Sequence, residues 1–258
     1  MTLPQRIALP GANFIVDGAG WNYGDEPGGW FDMEKCAIRL KNQLILVLTD
    51  GSGTLEFGYD ASLLFVSRLR SLLNGYDQVE IDEFESMLFD TNMDTRRELR
   101  IGKMADAGFD LIVALLYQKR LIIGWIGSAM GILLNERKVD YITRPHNRAE
   151  NAIRLGMDRQ QVYSDPRSFI NTRSFGHDNS VYSYANGLEW SPILQDPENR
   201  QRLILISRTA WSHLKFGILE LHHEIGEIGN SAPQIIQSAQ SSGAHDDILA
   251  FLLSVSAS

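Results

Sequence analysis

An apolar run from Leu44 to Leu48 ends in Thr49-Asp50-Gly51-Ser52-Gly53. A carboxylate at a strand exit, followed by backbone that can be approached closely, can serve two ends. Asp-Gly is among the commonest turn pairs. Carboxylate and carbonyl oxygens also suit Mg²⁺ or Mn²⁺. The dipeptide alone does not separate the two. The other chemistry-bearing residues exclude more than they promise. The chain has a single cysteine, Cys36, so it can form neither an internal disulfide nor a cysteine zinc site. His222 and His223 are adjacent, so they do not share a helical face, and the i, i+4 spacing of the helical zinc motif is missing. The glycine-rich stretch from Gly18 to Gly24 does not follow a strong strand and open a helix, which argues against a dinucleotide site. The tryptophans at 21, 30, 125, 190 and 211 read as packing or surface anchors.

These residues must be carried by elements the patterning can place. Residues 44–49, 110–117, 121–126, 130–135 and 202–207 read as short buried strands. Two hairpins are predicted, one with a charged tip at Gln118-Lys119-Arg120 and one turning at 135–138. Residues 60–74 predict an amphipathic helix, with Asp60 as its cap and Gly75 as its stop. A second helix over 81–107 is expected to break around Asn92-Met93-Asp94. A short helix over 147–156 ends at Gly156, and 181–190 reads as a strand with a turn at Asn186-Gly187. A helix over 230–241 and a strand over 248–255 close the chain. This order is an α+β arrangement with sheets inside and helices outside.

The bulk numbers agree. With 258 residues, 44% apolar and 22% charged, the chain suits one large domain or two small ones with a substantial core. A net charge of −8 argues against a broad nucleic-acid footprint. The N-terminal stretch lacks a long apolar core with a small-residue cleavage site, so no signal peptide is expected. The most apolar region, 111–134, is cut by Gln118-Lys119-Arg120 into pieces too short to span a bilayer as a helix. The expectation is a soluble, cytoplasmic protein with no membrane contact.

Taken in order, the motifs say more than any one of them. VLTDGSGTLEFGYDAS (47–62) resembles the strand, Asp-Gly turn and helix of the type-2C, metal-dependent serine/threonine protein phosphatases. The stretch 110–147 is similar to that family's central hairpins, which run through Gly-Asp-Ser to Leu-Thr-x-Asp-His. DPRSFINTRSFG (165–176) resembles its Thr-Arg-Ala-Leu-Gly stretch. ENRQRLILISRTAWSHL (198–214) resembles the strand that ends in Ser-Asp-Gly-x-Trp, and SSGAHDDILAFLL (241–253) the closing Arg-Asp-Asn segment. The resemblance implies one domain over 1–258, a four-layer α/β/β/α sandwich of two antiparallel sheets flanked by helices. It also implies a site at one edge of the sandwich, where carboxylates hold Mg²⁺ or Mn²⁺ and a metal-bound water attacks phosphate.

By that resemblance Asp50 matches the carboxylate bridging two metals, and Gly51 the glycine whose carbonyl ligates one of them. Asp246 matches the closing aspartate, and Asp25 and Glu26 the N-terminal acidic pair, although no arginine lies just upstream to bind phosphate. His146 matches the family's histidine; its plainer reading is a capped or surface group. Two positions depart from the pattern. Ser128 stands where the family has the aspartate of Gly-Asp-Ser, and serine is a poor replacement for a charged ligand. Arg208 stands where it has the aspartate of Ser-Asp-Gly. Arginine has no lone pair to offer a metal. At about 4 Å and an effective dielectric of about 20, its charge would oppose a divalent ion by roughly 8 kcal/mol. Arg208 would then neutralise Asp50 and Asp246, or else point to solvent.

The sequence reading is therefore a pseudophosphatase that works by binding a protein partner, with Mg²⁺ or Mn²⁺ at reduced occupancy or absent. Two alternatives stay open: an active phosphatase with a rebuilt site, and a structural subunit of a larger assembly.

Overall fold

The computed structural model describes residues 5–9, 12–21, 36–52, 55–102, 107–117, 120–135, 138–175, 189–194, 202–214, 232–244 and 248–256. Eleven strands among them form two sheets. The first runs β1 (Gln5–Leu9), β2 (Ala12–Trp21), β11 (Ile248–Ser256), β10 (Arg202–Ile206), β7 (Met130–Asn135), β8 (Lys138–Tyr141). The second runs β3 (Ala37–Arg39), β4 (Gln43–Ser52), β5 (Gly108–Tyr117), β6 (Arg120–Ile126), β9 (Glu189–Leu194). Every pairing between them is antiparallel.

The long apolar runs are explained by burial on both faces. Side chains alternate across a strand. Leu44, Leu46 and Leu48, with Ile112, Ala114 and Leu116, enter the cluster between the sheets. Ile45 and Val47, with Leu111, Val113 and Leu115, enter a second cluster with helices α1 (Leu55–Leu73) and α2 (Ile81–Ile101). In the other sheet Leu203 and Leu205 face inward. Ile204 and Ile206 pack outward with residues of α5 (Arg208–His213) and α6 (Ala232–Ser241). The result is the four-layer α+β sandwich the resemblance implies.

Two helix expectations need correction. Asp60 does not cap α1, which starts five residues earlier at Leu55; Asp60 lies exposed inside the helix, beside the buried Ala61. The buried stripe Ala61, Phe65, Leu69, Leu73 follows the helical repeat to its end, and Gly75 supplies the turn at φ +99°. α2 does not break at 92–94. Asn92 is fully buried on its core face, and the hydroxyls of Thr91 and Thr95 bond back to the carbonyls of Met87 and Thr91 within an unbroken helix. Arg68 and Glu98 tie α1 to α2 across the surface.

Between β8 and β9 the chain forms α3 (Arg148–Arg154), α4 (Arg159–Tyr163) and a 3-10 turn at Pro166–Phe169. Asn147 caps α3 by accepting from Glu150 N at 2.9 Å, and Gly156 follows its end at φ +90°. Most of the strand expected over 181–190, including its turn, lies outside the described residues. No described helix is long and apolar enough to cross a membrane.

Candidate functional site

The strand alternation that buries Leu48 puts Asp50, two residues on, at the same inter-sheet face. Asp110 stands in the same relation to Ile112, and the register pairs Asp50 directly with Asp110. Both side chains are buried, Asp110 completely. Two like charges opposite each other on neighbouring strands repel, so their surroundings must compensate.

Asp110 is held on both oxygens. Oδ2 accepts from Ser128 N at 3.0 Å and Oδ1 from Asn171 Nδ2 at 2.5 Å. Ser128 Oγ donates in turn to Asn171 Oδ1, closing a buried three-residue network. Gly127 makes that approach possible. Its φ is +97°, and a Cβ there would overlap the Asp110 carboxylate. Burial pushes the Asp110 carboxyl above the usual range; the charge of Arg208 and the bonds from Ser128 and Asn171 work the other way.

Asp50 is held by the start of α5. Arg208 N donates to Asp50 Oδ2 at 2.7 Å. Ser207 caps that helix through Ala210 N and takes a second bond from Leu249 N at 3.1 Å, which ties the turn to β11. Arg208 is thus brought to the carboxylate pair. Its backbone bonds one member and its charge acts on the other.

His146 is brought to the turn beside the pair. Its Nδ1 accepts from Gly127 N at 3.0 Å, its own N–H donates to Gly127 O at 2.7 Å, and its ring stacks on Trp125. Nε2 lies 3.2 Å from Arg173 Nη1, and the His146 carbonyl accepts from Thr172 N at 2.7 Å. The histidine therefore clamps the 127–128 turn to the 171–173 segment. Ser128 engages Asp110 and Asn171. Gly51 lies on β4 opposite Phe109. Asp25, Glu26 and Asp246 lie outside the described residues.

Sequence reasoning missed Asp110 and Asn171. A signal for Asp110 was present, a lone carboxylate inside the otherwise apolar strand GFDLIVALLY. Asn171 had none, since it meets Asp110 from 61 positions away.

Among the described residues no group of three or more His, Cys, Asp or Glu could hold a metal ion. Asp50 and Asp110 are hard oxygen donors of the right chemistry, but Asp110 has both oxygens engaged. Two carboxylates fall short of the oxygen shell that Mg²⁺ demands. The described residues by themselves do not fit a divalent-metal centre.

Solved bacterial phosphatases share this architecture. The serine/threonine phosphatase of S. agalactiae superposes with a TM-score of 0.75 at 16% identity, covering 93% of this chain and 98% of that one. Serine/threonine phosphatase Stp1 of Staphylococcus aureus gives 0.68 at 20% identity, covering 100% and 99%. The catalytic domain of the phosphatase PstP, solved in complex with 2 manganese ions, gives 0.65 at 15% identity, covering 95% and 100%. The chain has the type-2C phosphatase fold. A Mycoplasma genitalium protein described as "Putative protein phosphatase" is 25% identical over 138 residues, 48% of this chain. The chain spans about half the length of that relative, 52%. No family model matches the chain.

Proposed function

We propose that this type-2C phosphatase-like chain is catalytically impaired and acts by binding a protein partner, as a single domain over 1–258. The observation that carries the reading is Arg208 at the carboxylate pair. Its backbone N–H donates to Asp50 Oδ2 at 2.7 Å, which places the residue beside the pair, and its side-chain charge bears on the buried Asp110. Arginine is a donor-only side chain, so it stands in for a cation instead of binding one. Ser128, engaged with Asn171, supplies no charged ligand in place of the family's aspartate.

Calorimetric titration of Mn²⁺ tests this. Wild-type protein is expected to bind weakly, and Arg208→Asp to bind at least tenfold more tightly. Equal affinity in both would show that Arg208 is not the obstacle. An aryl phosphate assay with Mn²⁺ is the second arm. Turnover by the wild type that disappears in Asp50→Ala would overturn the proposal.

One observation favours a second reading, an active phosphatase with a rebuilt site. Asp110 places a second buried carboxylate directly opposite Asp50. Under that reading Asp110→Asn abolishes turnover along with Asp50→Ala.

A further inference from the structure

The turn between β3 and β4 lies at the opposite end of the second sheet from Asp50. From Gln43 to Asp50 β4 rises about 23 Å, at about 3.3 Å per residue. There the hairpin tip faces the C-terminal part of α1 across a cleft of about 530 Å³. Arg39 and Lys41 line it from the hairpin and Arg70 from the helix. All three are exposed, and among the described residues no carboxylate lines the cleft, in a chain of net charge −8. Ser67, Ser71 and Asn74 line it too, at three- and four-residue spacings that put them on one face of α1 with Arg70.

The frame of the cleft is fixed by the fold. Gln43 is fully buried; its side-chain amide accepts from Val79 N at 3.0 Å and donates to Val79 O at 3.2 Å. Asn42 N donates to Asp77 O at 3.0 Å. These bonds fasten the segment after α1 to the hairpin, so the two cationic walls are held together before a ligand arrives. Donors already in place lower the ordering cost of binding. Gly75, at φ +99°, turns the chain out of α1 and brings Tyr76 to the wall. Lys41 bonds Asp77 at 3.1 Å, with the two side chains 71% and 64% exposed. An exposed pair of that kind is weak, so an incoming anion can compete for the lysine.

The lining narrows the class of ligand. Three donor-only cations, with hydroxyls and an amide beside them, suit an anion with several oxygens and two or three charges. The volume falls in the range of small-molecule sites, about 300–1,000 Å³, and leaves room for more than one phosphate group. A long polyanion fits poorly, because the chain continues from Tyr76 into the exposed Asp77 and Glu80, which would repel it. We propose that this cleft binds a small molecule bearing a diphosphate, its oxygens held by Arg39, Lys41 and Arg70. The site lies at the far end of the sheet from the Asp50–Asp110 pair and does not depend on whether that pair turns over phosphate.

Calorimetry on the full chain in EDTA tests this, with pyrophosphate, inorganic phosphate, citrate and ADP as probes. Pyrophosphate is expected to bind at least tenfold more tightly than phosphate or citrate, and more weakly as salt rises. ADP separates two sources of a diphosphate. Binding tighter than that of pyrophosphate, lost in Tyr76→Ala, assigns a ligand with a ring against Tyr76; binding no tighter assigns the free diphosphate. Arg39→Gln with Arg70→Gln should lower pyrophosphate affinity at least tenfold, while Arg208→Gln leaves it unchanged. Asp77→Asn releases Lys41 and should raise the affinity at least twofold, a gain that poor folding cannot produce. Absence of pyrophosphate binding, phosphate or citrate bound as tightly, a double arginine variant that binds as the wild type does, no gain in Asp77→Asn, or a loss in Arg208→Gln would each overturn the proposal.

Discussion

Replacing Gly127 by alanine should damage the centre of this protein far more than the loss of a single turn glycine suggests. Two costs combine. Gly127 has φ +97°, and a left-handed backbone costs a residue with a Cβ about 1–2 kcal/mol. The new methyl would also overlap the carboxylate of Asp110, which is fully buried and held by Ser128 and Asn171, so it cannot swing aside freely. Overpacking of that kind costs about 1–3 kcal/mol. The sum, about 2–5 kcal/mol, corresponds to a fall in Tm of roughly 4–20 °C for a chain of this size. Gly75 supplies the control. It has nearly the same φ, +99°, with nothing within 4 Å of its would-be Cβ. Gly75→Ala therefore carries the backbone cost alone, about 1–2 kcal/mol. Chemical denaturation of both variants isolates the overlap. If Gly127→Ala is no less stable than Gly75→Ala, the close packing of the turn on Asp110 is wrong, and the compensation of the carboxylate pair must be explained differently.

Three further outcomes follow from the same geometry. Asn171→Ala removes a donor from Asp110 and an acceptor from Ser128, and should cost about 2–6 kcal/mol in denaturant midpoint analysis, since each stranded buried group costs about 1–3 kcal/mol; a loss below about 1 kcal/mol would mean the network is not formed. Asp17 is buried on β2 and accepts from Ala232 N at 2.9 Å, and burial raises its pKa above 3.8. The folded state therefore holds this proton more tightly than the unfolded chain does. Its contribution is present below 3.8 and is lost as pH rises through the folded-state value, so the wild type should gain stability relative to Asp17→Asn on acidification through the carboxylate range; a parallel pH dependence of the two proteins would refute this. Asn147→Ala should cost about 0.5–2 kcal/mol by removing the α3 cap, read by thermal melting, and a neutral effect would discount that cap.

The scaffold was largely readable from local pattern. Runs such as Leu44–Leu48 and Leu111–Leu116 declared strands buried on both faces, and Gly75 and Gly156 marked the turns where positive φ is found. Helix limits were less legible, because Asp60 looks like a cap only until the upstream residues are seen to continue the same helix. The expected break at Asn92 failed for a related reason, since tertiary burial overrides the intrinsic preference of asparagine for turns.

By itself, the sequence determined that continuous apolar runs would form buried strands between outer helices and that a carboxylate, Asp50, would end one of those runs; the two-sheet sandwich was what the family resemblance implied. Periodicity is a local property, and burial on a strand or helix face can be read from it. Only the tertiary structure decided that Asp110 stands opposite Asp50, that Asn171 and Ser128 close over it, and that Arg208 arrives from 158 positions away to bond Asp50. Those meetings depend on strand register and on which end of each sheet the turns reach, and no short window of residues encodes either.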